Sequence, residues 1–417
     1  MAITKLTPTD VTTFLKAAYK LTTGTYDATT FKIGDIVDAG TANLDDWRDQ
    51  FTGKLMAVLV KNWFTFSGYR EQYKDRFYID SQEYGAVLQA ISIDSPDVIA
   101  NSAFKTLTSG TTTLGTYTVY LPVVDTKYYV KQSSWAVPLT ISGEQMNTAF
   151  KNEAELSNFV SFCFLAVDNA IIQHLENMNE LNRNNFIGAK YEASNNAVFK
   201  LSATFLTDQT SNNDLLDKVN TWAGTASTGD TMTLSRNDFI CDKEFLRYAT
   251  KKMRQIKMFM QKQTKLFNTA GKVRFTPESR LVVQLLQEFV YNAESILQSD
   301  TFHDELVKPD YTEVVPYWQR CDSTTLGFSN TSQLSYTNAS NVAQTKYGII
   351  GFMCDKWAIM HTIVNERVGV QRFDIEDVTH YEHQFVDKYA NDLSQNAAIF
   401  VCSDVTVTKT ANGYTIL

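Results

Sequence analysis

Two histidines three positions apart, His380 and His383, come closest in type and spacing to a chemical site. On a helix this spacing brings both imidazole rings to roughly one face, where a nearby carboxylate could complete a metal site. The surrounding sequence is typical of β-structure, and the pair lacks the spacing of an HEXXH motif. Solvated or edge-strand histidines are therefore the simpler interpretation. We keep a metal-dependent enzyme built on this pair as an alternative.

The rest of the sequence shows no arrangement that indicates catalysis or cofactor binding. No serine lies in a GxSxG elbow, and the glycines form neither GxGxxG nor GxxxxGK[ST]. His174 falls on the apolar stripe of a long predicted helix, where a core histidine is expected rather than a ligand. We therefore predict no catalytic, cofactor-binding or metal-binding residue, no cofactor and no enzymatic activity.

Basic residues cluster within one short stretch and form the strongest charge feature of the chain. They are Arg247, Lys251, Lys252, Arg254, Lys257, Lys262, Lys265, Lys272 and Arg274. Interleaved methionines and phenylalanines make the predicted helix in this stretch amphipathic. The cluster could meet phosphate or an acidic partner, and a solvated helix face that balances an acidic protein is the simpler interpretation.

Composition narrows the class of protein. The chain has 417 residues, a formal net charge of −8 and 12% aromatic residues, which argues against disorder and against a dedicated nucleic-acid reader. Its 5 cysteines are odd in number and none are at CxxC spacing, so we expect reduced thiols in a cytoplasmic setting. No apolar signal core opens the sequence, and no run approaches the roughly 18–20 apolar residues that span a bilayer.

The elements that must position these residues begin with a β-rich excursion over Arg76–Ile141. Strands are predicted at Tyr84–Ile93 and Thr116–Val124, the second with clear period-two alternation. Gly110 and Gly115 bracket a flexible tip between them. Trp135–Ile141 is predicted to return as a further strand.

A long amphipathic helix is predicted from Asn152 to Asn182. Asn152 and Glu155 resemble a capping box, and Asn182–Asn185 is expected to end the helix. Apolar residues recur at spacings of three and four: Leu156, Phe159, Val160, Cys163, Phe164, Val167, Ile171, Leu175 and Met178. About thirty residues at 1.5 Å each make a rod of about 45 Å, longer than a small domain needs.

Further along, helices and strands alternate in a predicted α/β subdomain. One helix is expected from Asp242 to about Met260, and a second one starts with Thr276 as cap and carries Leu281 to Leu297. Strands are expected near Val314–Trp318 and Tyr347–Met353. The tail from Ile349 to Val401 is expected to alternate short apolar runs with charged turns, ending in a strand at Ala397–Val401.

Three stretches of this sequence carry a family resemblance. They are AVLQAISIDSPDVIAN with SWAVPLTISGEQMNTAFKNEAELSNFV, then ICDKEFLRYATKKMRQ, then YGIIGFMCDKWAIM with FVDKYANDLSQNAAIFV. In order and texture they resemble the Hong Kong 97 (Johnson) fold of tailed-bacteriophage major capsid proteins, specifically the phi-29-like short-tailed phage type. The resemblance implies an α+β fold with these parts: an N-terminal arm at 1–75, an extended β-hairpin loop at 76–141, a peripheral domain with a spine helix at 142–225, an α/β axial domain at 226–345, and peripheral return strands with a C-terminal tail at 346–417.

The same resemblance implies the function and partners. Copies of the chain would form the hexamers and pentamers of an icosahedral shell around double-stranded DNA, which they would contact non-specifically. The sequence shows no long acidic or coiled-coil N-terminal segment, so a separate scaffolding protein is expected, together with a portal and no membrane. The protein would be part of the virion and would assemble in the bacterial host cytoplasm. A non-viral nanocompartment shell and a tail or fibre structural protein are weaker hypotheses for the same sequence.

Overall fold

A computed structural model describes residues 88–93, 124–129, 132–142, 153–193, 195–208, 213–298, 309–318, 332–338, 340–373, 378–411 and 413–416. The predicted N-terminal arm, the loop tip and most of the strand predicted at Thr116–Val124 lie outside these residues. The chain divides into two compact units. The first includes Lys131–Asn179 and His361–Tyr389, and the second includes Ala86–Val130, Glu180–Met360 and Ala390–Leu417.

Six helices and fifteen strands can be assigned in the described residues. The helices are α1 Glu153–Ala193, α2 Leu201–Asp208, α3 Asp214–Thr225, α4 Arg236–Ile240, α5 Lys243–Met260 and α6 Gln287–Gln298. The strands are β1 Leu88–Ile93, β2 Val124–Tyr129, β3 Gln132–Ser142, β4 Val198–Lys200, β5 Thr231–Leu234, β6 Leu281–Leu286, β7 Glu313–Val315, β8 Leu334–Thr337, β9 Ala343–Lys346, β10 Ile349–Asp355, β11 Ile359–Phe373, β12 Val378–Asn391, β13 Ala397–Val401, β14 Val405–Thr410 and β15 Gly413–Ile416.

The first unit combines the N-terminal part of α1 with a three-stranded sheet in the order β11-β12-β3. The predicted strand at Trp135–Ile141 is confirmed as part of β3, which pairs with β12 in antiparallel register. The long strands β11 and β12 correct the prediction of short apolar runs separated by charged turns. Buried positions in β12 are filled by polar as well as apolar residues, and this mixture conceals its alternation in the sequence.

The long helix α1 is confirmed, but its predicted end is wrong. It has 41 residues, so it extends about 60 Å and continues beyond Asn182–Asn185 to Ala193. Asparagine favours helix ends because its side chain competes for backbone hydrogen bonds. Here the side-chain amide of Asn184 donates instead to the Trp318 carbonyl at 2.6 Å, and the side-chain amide of Asn182 donates to the Met360 carbonyl at 3.5 Å. These long-range partners allow the helix to continue.

Two further features hold the last turns of α1 in the second unit. A Cβ at Gly188 would overlap the ring of Tyr336, so glycine permits the close approach of that ring. Lys190 is fully buried, and its ammonium donates to the carbonyls of Leu393 and Gln395 at 3.0 and 3.1 Å. Burial lowers the pKa of Lys190 to about 8. The helix end is thus fixed both by close packing and by hydrogen bonds.

The second unit is built on a five-stranded mixed sheet in the order β4-β13-β10-β6-β7. Strands β6, β10 and β13 are buried along their whole length, as expected for central strands covered on both faces. Helices α2, α5 and α6 contribute Phe205, Phe245, Met253 and Phe289 to the same apolar core. A small sheet in the order β15-β14-β5 and the hairpin β8-β9 complete the unit. The expected strands near Val314–Trp318, Tyr347–Met353 and Ala397–Val401 are confirmed.

Local sequence signals predict the start of α5 correctly but predict the wrong element after it. Asp242 caps α5 by accepting a hydrogen bond from the Phe245 amide at 2.7 Å, as the sequence predicts. The helix predicted from Thr276 is wrong, because Leu281–Leu286 forms the buried strand β6 and α6 begins only at Gln287. A short, continuous apolar run does not by itself distinguish a buried strand from a helix.

No helix in the part of the chain that the structure describes is both long enough and apolar enough to cross a membrane.

Candidate functional site

The strand geometry of β12 separates His380 from His383. Thr379, Tyr381, His383, Phe385 and Asp387 alternate on the buried face, whereas His380 lies on the other face. His380 Nδ1 lies 2.9 Å from the Thr140 hydroxyl, and His383 Nε2 lies 2.9 Å from Glu366 Oε1. The structure therefore does not bring the two imidazoles together. Among the described residues, no group of three potential ligands is placed to hold a metal ion.

A row of aromatic and polar side chains fills the buried face of the first unit. The Trp135 indole stacks on Phe385 at 4.2 Å and lies 4.3 Å from His174, and its N–H donates to Asp387 at 2.7 Å. His361 stacks on Tyr389 at 4.4 Å. Burial lowers the pKa of His174, although the charge of Asp387 opposes that shift. The Trp135 indole contacts both the Asp387 carboxylate and the neighbouring rings. We therefore interpret this row of side chains as part of the packed interior of the first unit.

The hairpin formed by β1 and β2 in the second unit has two different faces. In the antiparallel register Ile91 lies opposite Thr126, and Ile93 lies opposite Val124. Side chains on directly opposed residues share a face, and the alternate residues of β2 occupy the other one. Asp125, Lys127 and Tyr129 therefore belong to one face, while Val124 and Tyr128 belong to the other.

Ion pairs hold the first of these faces, which we call the anchored face. Lys127 Nζ donates to Asp392 Oδ1 at 2.7 Å, and Lys272 Nζ donates to Asp125 Oδ2 at 3.0 Å. Burial would raise the pKa of Asp392, but hydrogen bonds from Lys127 and Ser394 lower it instead. The hydrogen bond and charge of Lys272 lower the pKa of Asp125. Both carboxylates are thus held ionised at neutral pH.

The other face of the hairpin carries large apolar side chains in contact with solvent, and we call it the open face. Ile91 is 62% exposed, Val124 54% and Tyr128 63%. Fully burying an aliphatic side chain of this size contributes about 2 kcal/mol. An apolar face of this kind is typical of a protein interaction surface.

The predicted basic cluster lies on α5 and on the loop that follows it, and several of its members are already paired. Lys252 pairs with Asp208 at 2.9 Å, and Arg247 pairs with Glu244 at 3.0 Å. Lys257 pairs with Glu278 and Asp310, and Lys272 pairs with Asp125. The helical part of the cluster therefore fits the interpretation of a solvated face with local ion pairs.

Sequence reasoning missed the residues that anchor the hairpin. Lys127 and Asp392 are 265 positions apart, and Asp125 and Lys272 are 147 positions apart. No local motif marks such pairs. An acidic residue in a polar stretch, Asp392-Leu393-Ser394, was the one signal that the sequence offered.

The comparisons with known proteins place the chain in a family of shell-forming proteins. The sequence model of the Phi29-like phage major capsid protein family matches residues 11–401, which is most of the chain. The chain therefore belongs to this family, as the resemblance implied, and its function is that of a capsid shell protein in the virion. No match was found among curated proteins.

Solved phage capsid structures resemble the chain at low sequence identity. The capsid of Staphylococcus phage Andhra is 10% identical with a TM-score of 0.43, and the match covers 79% of this chain and 84% of that one. The capsid of cyanophage P-SCSP1u is 10% identical with a TM-score of 0.41, covering 79% and 87%. The mature capsid of bacteriophage PhiM1 is 7% identical with a TM-score of 0.40, covering 78% and 84%.

Proposed function

We propose that this chain forms hexamers and pentamers that close into an icosahedral shell around double-stranded DNA, in the manner of the Hong Kong 97 fold. In this proposal β1 and β2 belong to the extended loop at 76–141 and α1 is the spine helix. The axial domain spans 226–345, and β10 to β15 lie in the return strands and tail at 346–417. The chain has no enzymatic role here, and it assembles in the host cytoplasm with a separate scaffolding protein and a portal.

The open face of the hairpin is the observation that carries this proposal. Its apolar side chains are exposed, while the anchored face holds the hairpin to its own unit through two ion pairs. A shell repeats each contact many times, so modest burial at every hairpin adds up to a stable lattice. The open face is thus suited to pack against a neighbouring copy of the chain.

Electron microscopy of the full chain, expressed with and without a scaffolding partner, tests the proposal. We expect uniform closed shells with fivefold and sixfold clusters. A stable monomer under both conditions would overturn the proposal. Shells that enclose a protein cargo and exclude DNA would support a nanocompartment instead.

A further inference from the structure

The loop between α5 and β6 presents a second exposed surface with a defined shape. The Thr276 amide donates to the Met260 carbonyl at 2.8 Å and closes the base of this loop. Thr264 and Arg274 exchange two backbone hydrogen bonds of 3.0 Å across it. The loop is therefore a closed ribbon with a fixed register at this pair.

Side chains beneath the loop fix its position. Phe267 is 2% exposed, and its carbonyl accepts a hydrogen bond from the Ala397 amide at 3.0 Å. The Asn268 side chain bonds both the amide and the carbonyl of Lys272. The outer side chains of the loop are thus presented by a supported backbone.

Large apolar side chains are exposed on this loop and on the last turn of α5. Met258 is 67% exposed, Phe259 51%, Leu266 56%, Val273 37% and Phe275 50%. Five such residues within eighteen positions are more than scattered surface apolar residues. Together with Lys262 and Lys265 we call them the loop surface.

Basic residues are also concentrated in the part of the sequence that contains the loop surface. From residue 245 to residue 277 the sequence has nine basic and no acidic residues. Four of these nine, Arg247, Lys252, Lys257 and Lys272, pair with carboxylates of the same chain, whose formal net charge is −8. Lys262 and Lys265 form no ion pair with any residue that the structure describes. The positive charge of the loop surface is therefore complementary to the net negative charge of another copy.

We infer that the loop surface is a contact between copies of this chain, in which its apolar side chains are buried and its lysines meet carboxylates of the neighbour. This inference rests on the proposed shell-forming function and adds a contact distinct from the hairpin. Duplex DNA would satisfy the lysines by phosphate contacts, but it would leave the methionine, leucine and phenylalanine side chains uncovered. A protein surface satisfies both.

Photo-crosslinking identifies the occupant directly. Phe275 in the full chain is replaced by p-benzoylphenylalanine, and isolated, nuclease-treated shells are irradiated. We expect a covalent product of twice the chain mass that is absent from dissociated subunits. A product containing another protein or DNA, or shells that give no product, overturns the inference. Failure to form shells at all counts against the proposed function instead.

Charge reversal provides the second arm. Lys262→Glu with Lys265→Glu should lower the yield of shells at least about tenfold, since like charges juxtaposed at an interface repel each other. Lys200→Glu, a charge reversal at an exposed lysine outside the loop, should leave the yield unchanged. Equal yields from the double variant and this control overturn the inference.

Discussion

The paired strands β11 and β12 and the hairpin β1-β2 both alternate two faces, but the faces that they bury differ. The buried face of β12 places Tyr381, His383 and Phe385 inside its own unit. The hairpin β1-β2 turns its ion-paired face to its own unit and leaves Ile91 and Val124 exposed. The side chains on the buried face of β12 are covered by their own chain. We propose that a second copy of the chain covers the exposed face of the β1-β2 hairpin.

This difference separates the energetics of folding from those of assembly. Substitutions in the first unit, around β12, should change the free energy of unfolding of the subunit. Substitutions on the open face should leave that free energy nearly unchanged and act on the shell. Four sites distinguish these roles, and their expected effects on subunit stability decrease from Trp135 to Ile91.

Trp135→Ala should lower the free energy of unfolding by about 3 kcal/mol, because it removes a large aromatic ring and leaves Asp387 without its indole donor. Urea denaturation followed by circular dichroism measures the change. Trp135→Phe keeps the stacking and should recover most of the loss. A loss below about 1 kcal/mol for the alanine variant would contradict the packing role.

Asp168→Asn should stabilise the subunit by about 2 kcal/mol at pH 8. Burial raises the pKa of Asp168 to about 6, and an acid whose folded pKa is raised favours folding when protonated. Its contribution is fully present below the unfolded pKa of about 4 and is lost as pH rises through about 6. Urea denaturation at pH 4.5 and pH 8 should show this decline for the natural chain and not for the variant. Parallel profiles would contradict it.

Lys127→Met should loosen the β1-β2 hairpin at a cost of about 1 kcal/mol, because Asp392 loses its charged donor but keeps its bonds to Ser394. Hydrogen–deuterium exchange of peptides covering β1 and β2 should become faster. Lys200→Met provides the matched control at an exposed lysine. Unchanged exchange in the hairpin would show that the anchored face does not depend on this ion pair.

Ile91→Ser with Tyr128→Ser should change the free energy of unfolding of the subunit by less than about 0.5 kcal/mol, since both side chains are exposed. The effect should fall on assembly, where shells are expected to be lost. Ile91→Val with Tyr128→Phe keeps the open face apolar and should still form shells. If the serine variant assembles as well as this control, the open face is not an assembly contact.

Much of the fold follows from local signals in the sequence. The cap at Asp242 set the start of α5, and the stripe containing Val167, Ile171 and Leu175 set the buried face of α1. These signals act within a few turns, so a single sequence reveals them. The family was expected from a resemblance in the order and texture of three such stretches.

The wrong or missing predictions concern residues whose conformation depends on partners distant in the sequence. The asparagines of α1 remain helical because the Trp318 and Met360 carbonyls accept hydrogen bonds from their side chains, and β6 is a strand because β10 pairs with it. The anchored face of the hairpin likewise depends on Asp392. None of these partners lies near its counterpart in sequence, so propensity and periodicity alone could not reveal them.

An electron cryo-microscopy reconstruction of the assembled shell tests the central claim most directly. We predict that the open face, with Ile91, Val124 and Tyr128, is covered by side chains of a neighbouring copy. A closed shell in which this face remains in solvent, or is covered by its own subunit, would contradict it.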